Sequence, residues 1–372
     1  MSIERALIGI DASRSYREPM TGTERYSRRI IEHLLREHPE DFRYRLYFND
    51  RPPDSAVLGE AEIRELPARR LWTHLTLSRE LRANPVDALF VPSHVIPLYH
   101  PQRSIVTIHD LGFYYEPEKH TIGTRIQLRA TTSWNIRQAC RLIAISDSTK
   151  KDMVERYGVD PDRVTVVHHG VDDQFRQVNQ DEVERYRRAA RLPERFILYL
   201  GTIQPRKNLE RLIDAFELIA GADPGLHLIL AGNPGWMAQP IRKRALASAY
   251  SRRISFPGRI PDEQLPLLYN AASVFTLPSL YEGFGLPVLE AMACGKPVVM
   301  SNRGALPELS GADTTVIDPL DVGDLADALR STIDADPGNE QVQARIEHAR
   351  RFSWADSARR TRDVLRRAVD ET

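Results

Sequence analysis

Arg206 and Lys207 are placed where side-chain cations can do chemistry. They close the segment Gly201-Thr202-Ile203-Gln204-Pro205-Arg206-Lys207-Asn208, between an apolar strand-like run, Phe196–Leu200, and a run of helical spacing, Leu209–Ala220. Asn208 is a good helix N-cap, so both cations would stand just before free backbone N–H groups and the positive end of a helix dipole, a position that favours an anion. Two cations there could grip a diphosphate. A capped helix with two solvated charges is the plain alternative, but only six of the 51 basic residues are lysine, which makes a lysine here informative.

A second group lies in Pro278-Ser279-Leu280-Tyr281-Glu282-Gly283-Phe284-Gly285-Leu286-Pro287, which leads into a helix carrying Glu290. Gly283 and Gly285 would let the backbone approach a ligand, with Phe284 and Leu286 between and after them. Glu282 in the loop and Glu290 a turn into the helix each accept two hydrogen bonds, which suits a vicinal diol of a ribose or hexose. Two weaker signals lie earlier. His109 follows the strand-like Ile105–Ile108, and Gly22 sits in Thr21-Gly22-Thr23-Glu24-Arg25-Tyr26 ahead of a helix. Asp160-Pro161-Asp162 and Asp334-Ala335-Asp336 spell a carboxylate pair that could suggest a divalent metal, but both read as turns, so no metal is expected.

These residues need a scaffold of alternating strands and helices, and the sequence supplies it twice. Strands are expected at Ala6–Ile10, Tyr44–Phe48, Ala88–Val91, Ile105–Ile108, Leu142–Ile145 and Val164–Val167, with helices at Thr23–His38, Gln127–Ala139 and Ser148–Tyr157, the last opened by a capping serine. After a polar stretch to Glu194 a second set begins, with strands at Phe196–Leu200, Leu226–Ala231, Ile254–Phe256, Val274–Leu277, Pro297–Met300 and Thr314–Ile317. Its helices fall at Leu209–Ala220, Gln239–Ala249, Asp262–Ala271, Pro287–Ala293 and beyond Val322. The simplest architecture is α/β, two doubly wound domains over 1–173 and 174–354, with ligands beyond the carboxyl ends of the strands. No G-x-G-x-x-G follows either first strand and no phosphate-binding G-x-x-x-x-G-K-[ST] occurs, which removes the main support for dinucleotide oxidation and P-loop hydrolysis.

Composition narrows the class further. A length of 372 residues suits two domains, and 42% hydrophobic with 27% charged residues suits a globular chain. Net charge is zero, from 51 basic and 51 acidic residues, so nucleic acid is not an expected partner. Cys140 and Cys294 stand alone, which suits a reducing cytoplasm, and neither a signal peptide nor a membrane span is expected. Positions 125, 129, 133, 137 and 141 recur every four residues, so Arg125, Arg129, Arg137 and Arg141 with Ser133 would form one ridge, preceded by Lys119. That ridge is either a solvated face or a dock for an acceptor phosphate or the anionic inner leaflet.

Together these motifs resemble retaining glycosyltransferase family 4. The resemblance rests on Arg206-Lys207-Asn208, on Glu282 and Glu290 with seven residues between them, and on Glu282-Gly283-Phe284-Gly285-Leu286-Pro287-Val288-Leu289-Glu290. Thr21 to Tyr26, His109-Asp110, Ala144 to Lys150 and Phe352-Ser353-Trp354 extend it along nearly the whole chain. One departure is His169-Gly170-Val171-Asp172 where the family usually has Asn-Gly-Val-Asp.

The resemblance implies a GT-B fold of two facing Rossmann-like domains with the active site in the cleft, and a last helix, about 355–372, packed back on the first domain. It implies hexose transfer from a nucleotide diphosphate sugar, GDP-mannose in the mannosyltransferase-like branch, to a glycan or lipid-linked saccharide in polysaccharide or O-antigen synthesis. No metal or other cofactor is implied. Arg206 and Lys207 would hold the diphosphate together with N–H groups from Gly283 to Leu286, Glu290 the ribose, and Glu282 and His109 the donor sugar, with Gly22, Gly201 and Asn208 completing the donor contacts. A silent sugar-nucleotide-binding partner of an assembly complex, and a phosphorylase or epimerase of the same fold, are the alternatives.

Overall fold

The computed structural model describes residues 5–16, 20–37, 39–50, 58–68, 70–93, 95–115, 122–311, 313–335 and 338–371. His38, Lys119 and Asp336 lie outside them. The chain forms two compact units, 1–170 with 353–372, and 171–352.

The first unit carries a parallel sheet of β1 (Leu7–Asp11), β2 (Arg43–Phe48), β3 (Glu62–Glu65), β4 (Ala88–Val91), β5 (Ser104–Ile108), β6 (Arg141–Ala144) and β7 (Val164–Val166), in the order β3-β2-β1-β4-β5-β6-β7. Its helices are α1 (Gly22–Glu37), α2 (Ser78–Ala83), α3 (Ile122–Gln138) and α4 (Asp147–Tyr157). β4 and β5 are buried along their whole length, as strands covered on both faces must be. β3 has no apolar run to betray it: it is the charged edge strand Glu-Ile-Arg-Glu, fastened to β2 by an Arg45–Glu62 ion pair at 2.8 Å. The cap of α4 is Ser146, whose hydroxyl accepts from Thr149 N–H at 3.0 Å, and not Ser148.

The second unit holds α5 (Gln180–Ala189), then β8 (Arg195–Leu200), α6 (Leu209–Ala220), β9 (Leu226–Ala231), α7 (Ala238–Ala247), β10 (Ile254–Gly258), α8 (Leu265–Ala271), β11 (Val274–Leu277), α9 (Leu286–Ala293), β12 (Val298–Ser301), β13 (Thr314–Ile317), α10 (Val322–Asp334) and α11 (Asn339–Arg350). The strands run parallel in the order β10-β9-β8-β11-β12-β13. The chain steps outward from β8 to β10 and then returns to β11 on the other side of β8. Winding therefore reverses between β8 and β11, and the loops leaving these two strands are left facing a crevice, the place where such sheets bind ligands. Those are the loops of Arg206-Lys207 and of Glu282.

The last helix, α12 (Trp354–Asp370), belongs to the first unit and is capped by Ser353, whose hydroxyl accepts from Asp356 N–H at 3.1 Å. The change of unit comes at 170/171 rather than after 173. Val171 N–H donates to Phe352 O at 3.0 Å within the second unit, while Ser357 Oγ donates to His168 O at 2.6 Å within the first. Gly170 is held to its residue type by sterics, since a Cβ there would stand 2.1 Å from Trp354 N.

Candidate active site

In the second unit, Arg206 and Lys207 lie on a single 3₁₀ turn, Pro205–Lys207, that follows β8. Leu280 N–H donates to Arg206 O at 2.9 Å, which stitches this turn to the loop after β11. Arg206 Nη1 donates to Tyr281 O and, at 3.0 Å, to Glu282 Oε2. Lys207 Nζ and Ser279 Oγ both donate to Glu282 Oε1, the serine at 2.6 Å. Burial alone would raise the Glu282 pKa, but the Arg206 and Lys207 charges and the bonds from Lys207 and Ser279 outweigh it and bring it down to about 2. Two cations thus share one ionised carboxylate, and the group carries one net positive charge.

This arrangement corrects the expectation for Glu282. Its side chain is 7% exposed and is engaged by three donors, so in this state it anchors the two cations instead of offering both oxygens to sugar hydroxyls. Its backbone is fixed as well: Ala305 N–H donates to Glu282 O at 2.9 Å, and Gly304, at φ 59°, packs so close that a Cβ would stand 2.4 Å from that oxygen. Ser301 Oγ donates to Ser279 O at 2.6 Å, tying the end of β12 to the same loop.

Asn208 is a correction of a different kind. It precedes α6 in the left-handed region, φ 60° and ψ 32°, and its side chain does not cap the helix. Asn208 Nδ2 donates to Pro319 O at 2.6 Å, and its Oδ1 accepts from Arg211 Nη1 at 2.9 Å. Asparagine tolerates that backbone better than most residues, so its work is to turn the chain sharply after Lys207. Gly201, earlier in the loop, packs against Tyr199, whose hydroxyl donates to Thr202 O at 3.0 Å.

Glu290 lies inside α9, 3% exposed, and accepts from the Tyr269 hydroxyl at 2.7 Å. Gly285 opens α9 at φ 121°, with Leu306 Cδ2 2.6 Å from where a Cβ would be, while Gly283 is not among the left-handed glycines. Leu286 is the first residue of α9 and is partly exposed. Phe284 is buried and meets Phe352 edge to face at 6.3 Å, so its ring packs the core. Ser279, Tyr269 and Gly304 were not singled out by the sequence. Ser279 lies inside the quoted motif, whereas nothing in sequence spacing points to Tyr269 or Gly304.

In the first unit, His109 stands just beyond β5 and shares a hydrogen bond with Pro92 O through Nε2 at 2.8 Å. A carbonyl can only accept, so Nε2 carries the proton. Burial lowers the His109 pKa despite the bond to Pro92 and the charges of Asp110 and Glu24, so the ring is neutral at pH 7 and Nδ1 is an acceptor. Tyr26, at 5.0 Å, meets it edge-on. His169, the departure noted above, is buried and packs against Tyr26 at 4.7 Å and Trp354 at 5.7 Å, each nearly parallel to it, which gives this imidazole a packing role. Burial, followed by His109 and His168, drives its pKa far down. Gly22 begins α1 with open space where a Cβ would be.

The basic ridge is shorter than expected. α3 ends at Gln138, and Arg141 belongs to β6, where it pairs with Glu371 and Asp162 O. Arg129 lies over the Tyr114 ring at 4.8 Å, Arg137 is exposed, and Arg125 is partly exposed. Among the described residues no helix is long and apolar enough to cross a membrane.

Known proteins share both halves of the chain. A family model described as glycosyl transferases group 1 matches residues 181–352, and one described as Glycosyltransferase Family 4 matches residues 20–175. O-antigen chain mannosyltransferase B of Escherichia coli is 30% identical over 276 residues, 73% of this chain and 71% of its own. The serotype-specific mannosyltransferase WbdA of Escherichia coli is 33% identical over 269 residues, 69% of this chain and 32% of its own, so the chain matches about a third of that relative. HepE of Anabaena, solved in complex with UDP and glucose, has a TM-score of 0.73 at 17% identity and covers 98% of this chain and 100% of its own, a likeness of fold. With a matching model over each half and a relative aligned across most of its length, the chain belongs to glycosyltransferase family 4 and is a GT-B glycosyltransferase.

Proposed function

We propose that the enzyme transfers mannose from GDP-mannose to a hydroxyl of a glycan or lipid-linked saccharide, with retention at the anomeric carbon and without a metal. The observation that carries this reading is the net positive group of Arg206, Lys207 and Glu282 at the point where the second sheet reverses its winding. When the glycosidic bond breaks, charge builds on the leaving diphosphate, and cations already fixed by Glu282 stabilise it with no reorganisation. Glu290 is assigned to the ribose diol. His109, neutral and accepting at Nδ1, is assigned to a donor-sugar hydroxyl. Mannose is chosen because the two Escherichia coli relatives described above are mannosyltransferases. The reaction takes place in the cytoplasm, where Arg125, Arg129 and Arg137 are assigned to an anionic acceptor or the inner leaflet.

A thermal-shift panel of GDP-mannose, UDP-glucose and a dTDP-hexose in EDTA tests donor and metal together, because a ligand that binds the folded state raises the melting temperature. GDP-mannose should give the largest rise. A larger rise with another donor would overturn the mannose assignment, and a rise that needs added Mg²⁺ or Mn²⁺ would overturn metal independence.

A further inference from the structure

A cavity of about 520 Å³ opens at the amino ends of β11, β12 and β13, the opposite end of the sheet from Glu282. Residues just ahead of each strand line it, Ser273 before β11, Lys296 before β12 and Asp313 before β13, together with Gln177, Thr332 and Arg345. The charges there do not balance. Arg345 is paired with Asp313, and Arg187, which also faces Lys296, is paired with Glu184 at 3.3 Å. Lys296 has no carboxylate within ion-pair distance among the described residues, so among them one positive charge is left over. Cys294 beside it is no counter-charge, because burial and then Glu290 push its thiol up to about 12. Burial first, and Arg187 and Arg345 after it, bring the Lys296 ammonium down to about 8.

The hydrogen-bonding groups point the same way. The carbonyls that end α9 are engaged by the backbone that follows, Met292 O by Gly295 N–H at 2.8 Å and Ala291 O by Lys296 N–H at 2.9 Å. Ser273 Oγ accepts from Phe196 N–H at 3.1 Å, which leaves its own hydrogen to donate. Gln177 Oε1 accepts from Gln343 Nε2 at 3.4 Å, which leaves the two hydrogens of Gln177 Nε2 to donate. Donors from several elements line the cavity together with a cation that has no carboxylate partner among the described residues, and a tetrahedral oxyanion meets donors from several directions better than a planar carboxylate does.

We propose that this cavity is a second ligand site, for a small phosphate ester of sugar-phosphate size, with its phosphate on Lys296 and its hydroxyls on Gln177, Ser273 and Thr332. It lies at the far end of the sheet from the proposed donor site.

Calorimetric titration of the full chain in saturating GDP, with glucose 6-phosphate, inorganic phosphate, glucuronate and glucose as separate probes, tests this. Glucose 6-phosphate should bind saturably and more tightly than the other three. Lys296→Met should weaken it by roughly tenfold or more, the loss of a charge-assisted hydrogen bond, while Lys296→Arg keeps most of the affinity. Should Lys296→Met fail to fold, acylation of Lys296 in the native protein gives the same answer, since glucose 6-phosphate should slow it. Phosphate binding as well as the ester would reduce the site to a free-phosphate site. Glucuronate binding equally would overturn the phosphate class. No saturable binding, binding indifferent to the Lys296 substitutions, or acylation of Lys296 indifferent to glucose 6-phosphate would overturn the site altogether. None of these outcomes depends on which nucleotide sugar is the donor, because the response is scored against Lys296.

Discussion

Glu282 makes the cations usable. Arg206 and Lys207 side by side would repel each other, and the shared carboxylate holds both at one place while leaving a net positive charge for the proposed diphosphate. Arg206→Ala and Lys207→Ala should each lower turnover by roughly 10²- to 10³-fold, the scale for losing one fixed donor at developing charge. Steady-state kinetics with the intact donor checks this, and affinity for the bare nucleoside should hardly move. Glu282 also sets a pH signature. Its folded pKa, about 2, is below the ordinary glutamate value, so the stability it contributes is present above roughly pH 4.3 and is lost as the pH falls from there through the folded value. Melting temperatures between pH 5 and pH 2 should therefore fall less steeply in Glu282→Gln than in the wild type, from a lower starting point because two cations have lost their carboxylate. Glu290→Gln should instead weaken nucleoside diphosphate binding, since the proposed ribose contact would serve ground state and transition state alike.

At the scale of the elements, the loops after β8, β11 and β12 form one unit, and Gly304 is the tightest point in it. A side chain there meets the Glu282 backbone in a left-handed conformation, so Gly304→Ala should cost on the order of 1–3 kcal/mol and lower the melting temperature measurably. Gly22→Ala is the control: a Cβ at Gly22 meets nothing within 4 Å, and its melting temperature should match the wild type. Most of these elements were legible because parallel strands buried on both faces read as apolar runs. β3 was not, because an edge strand made of Glu-Ile-Arg-Glu has neither an apolar run nor clean alternation. Ser146 and Ser148 could each have capped α4, and only the hydrogen bond to Thr149 separates them. Asn208 looked like a capping side chain because asparagine favours caps and left-handed turns alike, and composition does not distinguish the two. The residue types of the site were legible from spacing to a strand end. The Arg206–Glu282 and Lys207–Glu282 pairs were not, because they join residues about 75 positions apart and depend on β8 and β11 being sheet neighbours.

At the scale of the whole molecule, the proposed function has a net positive group of side chains in the second unit hold the diphosphate of a nucleotide sugar, with no metal bridging it. Activity with the intact donor should then survive EDTA, and a sample inactivated by chelation and revived by Mn²⁺ would contradict this. The Arg206–Lys207 group is tested most directly by titrating GDP and guanosine, both in EDTA, into the wild type and into an Arg206→Ala/Lys207→Ala double variant. GDP should bind the wild type far more tightly than guanosine does, and the double variant should lose most of that difference while binding guanosine as before. If GDP kept its advantage over guanosine in the double variant, the diphosphate would be held elsewhere and the central claim would fail.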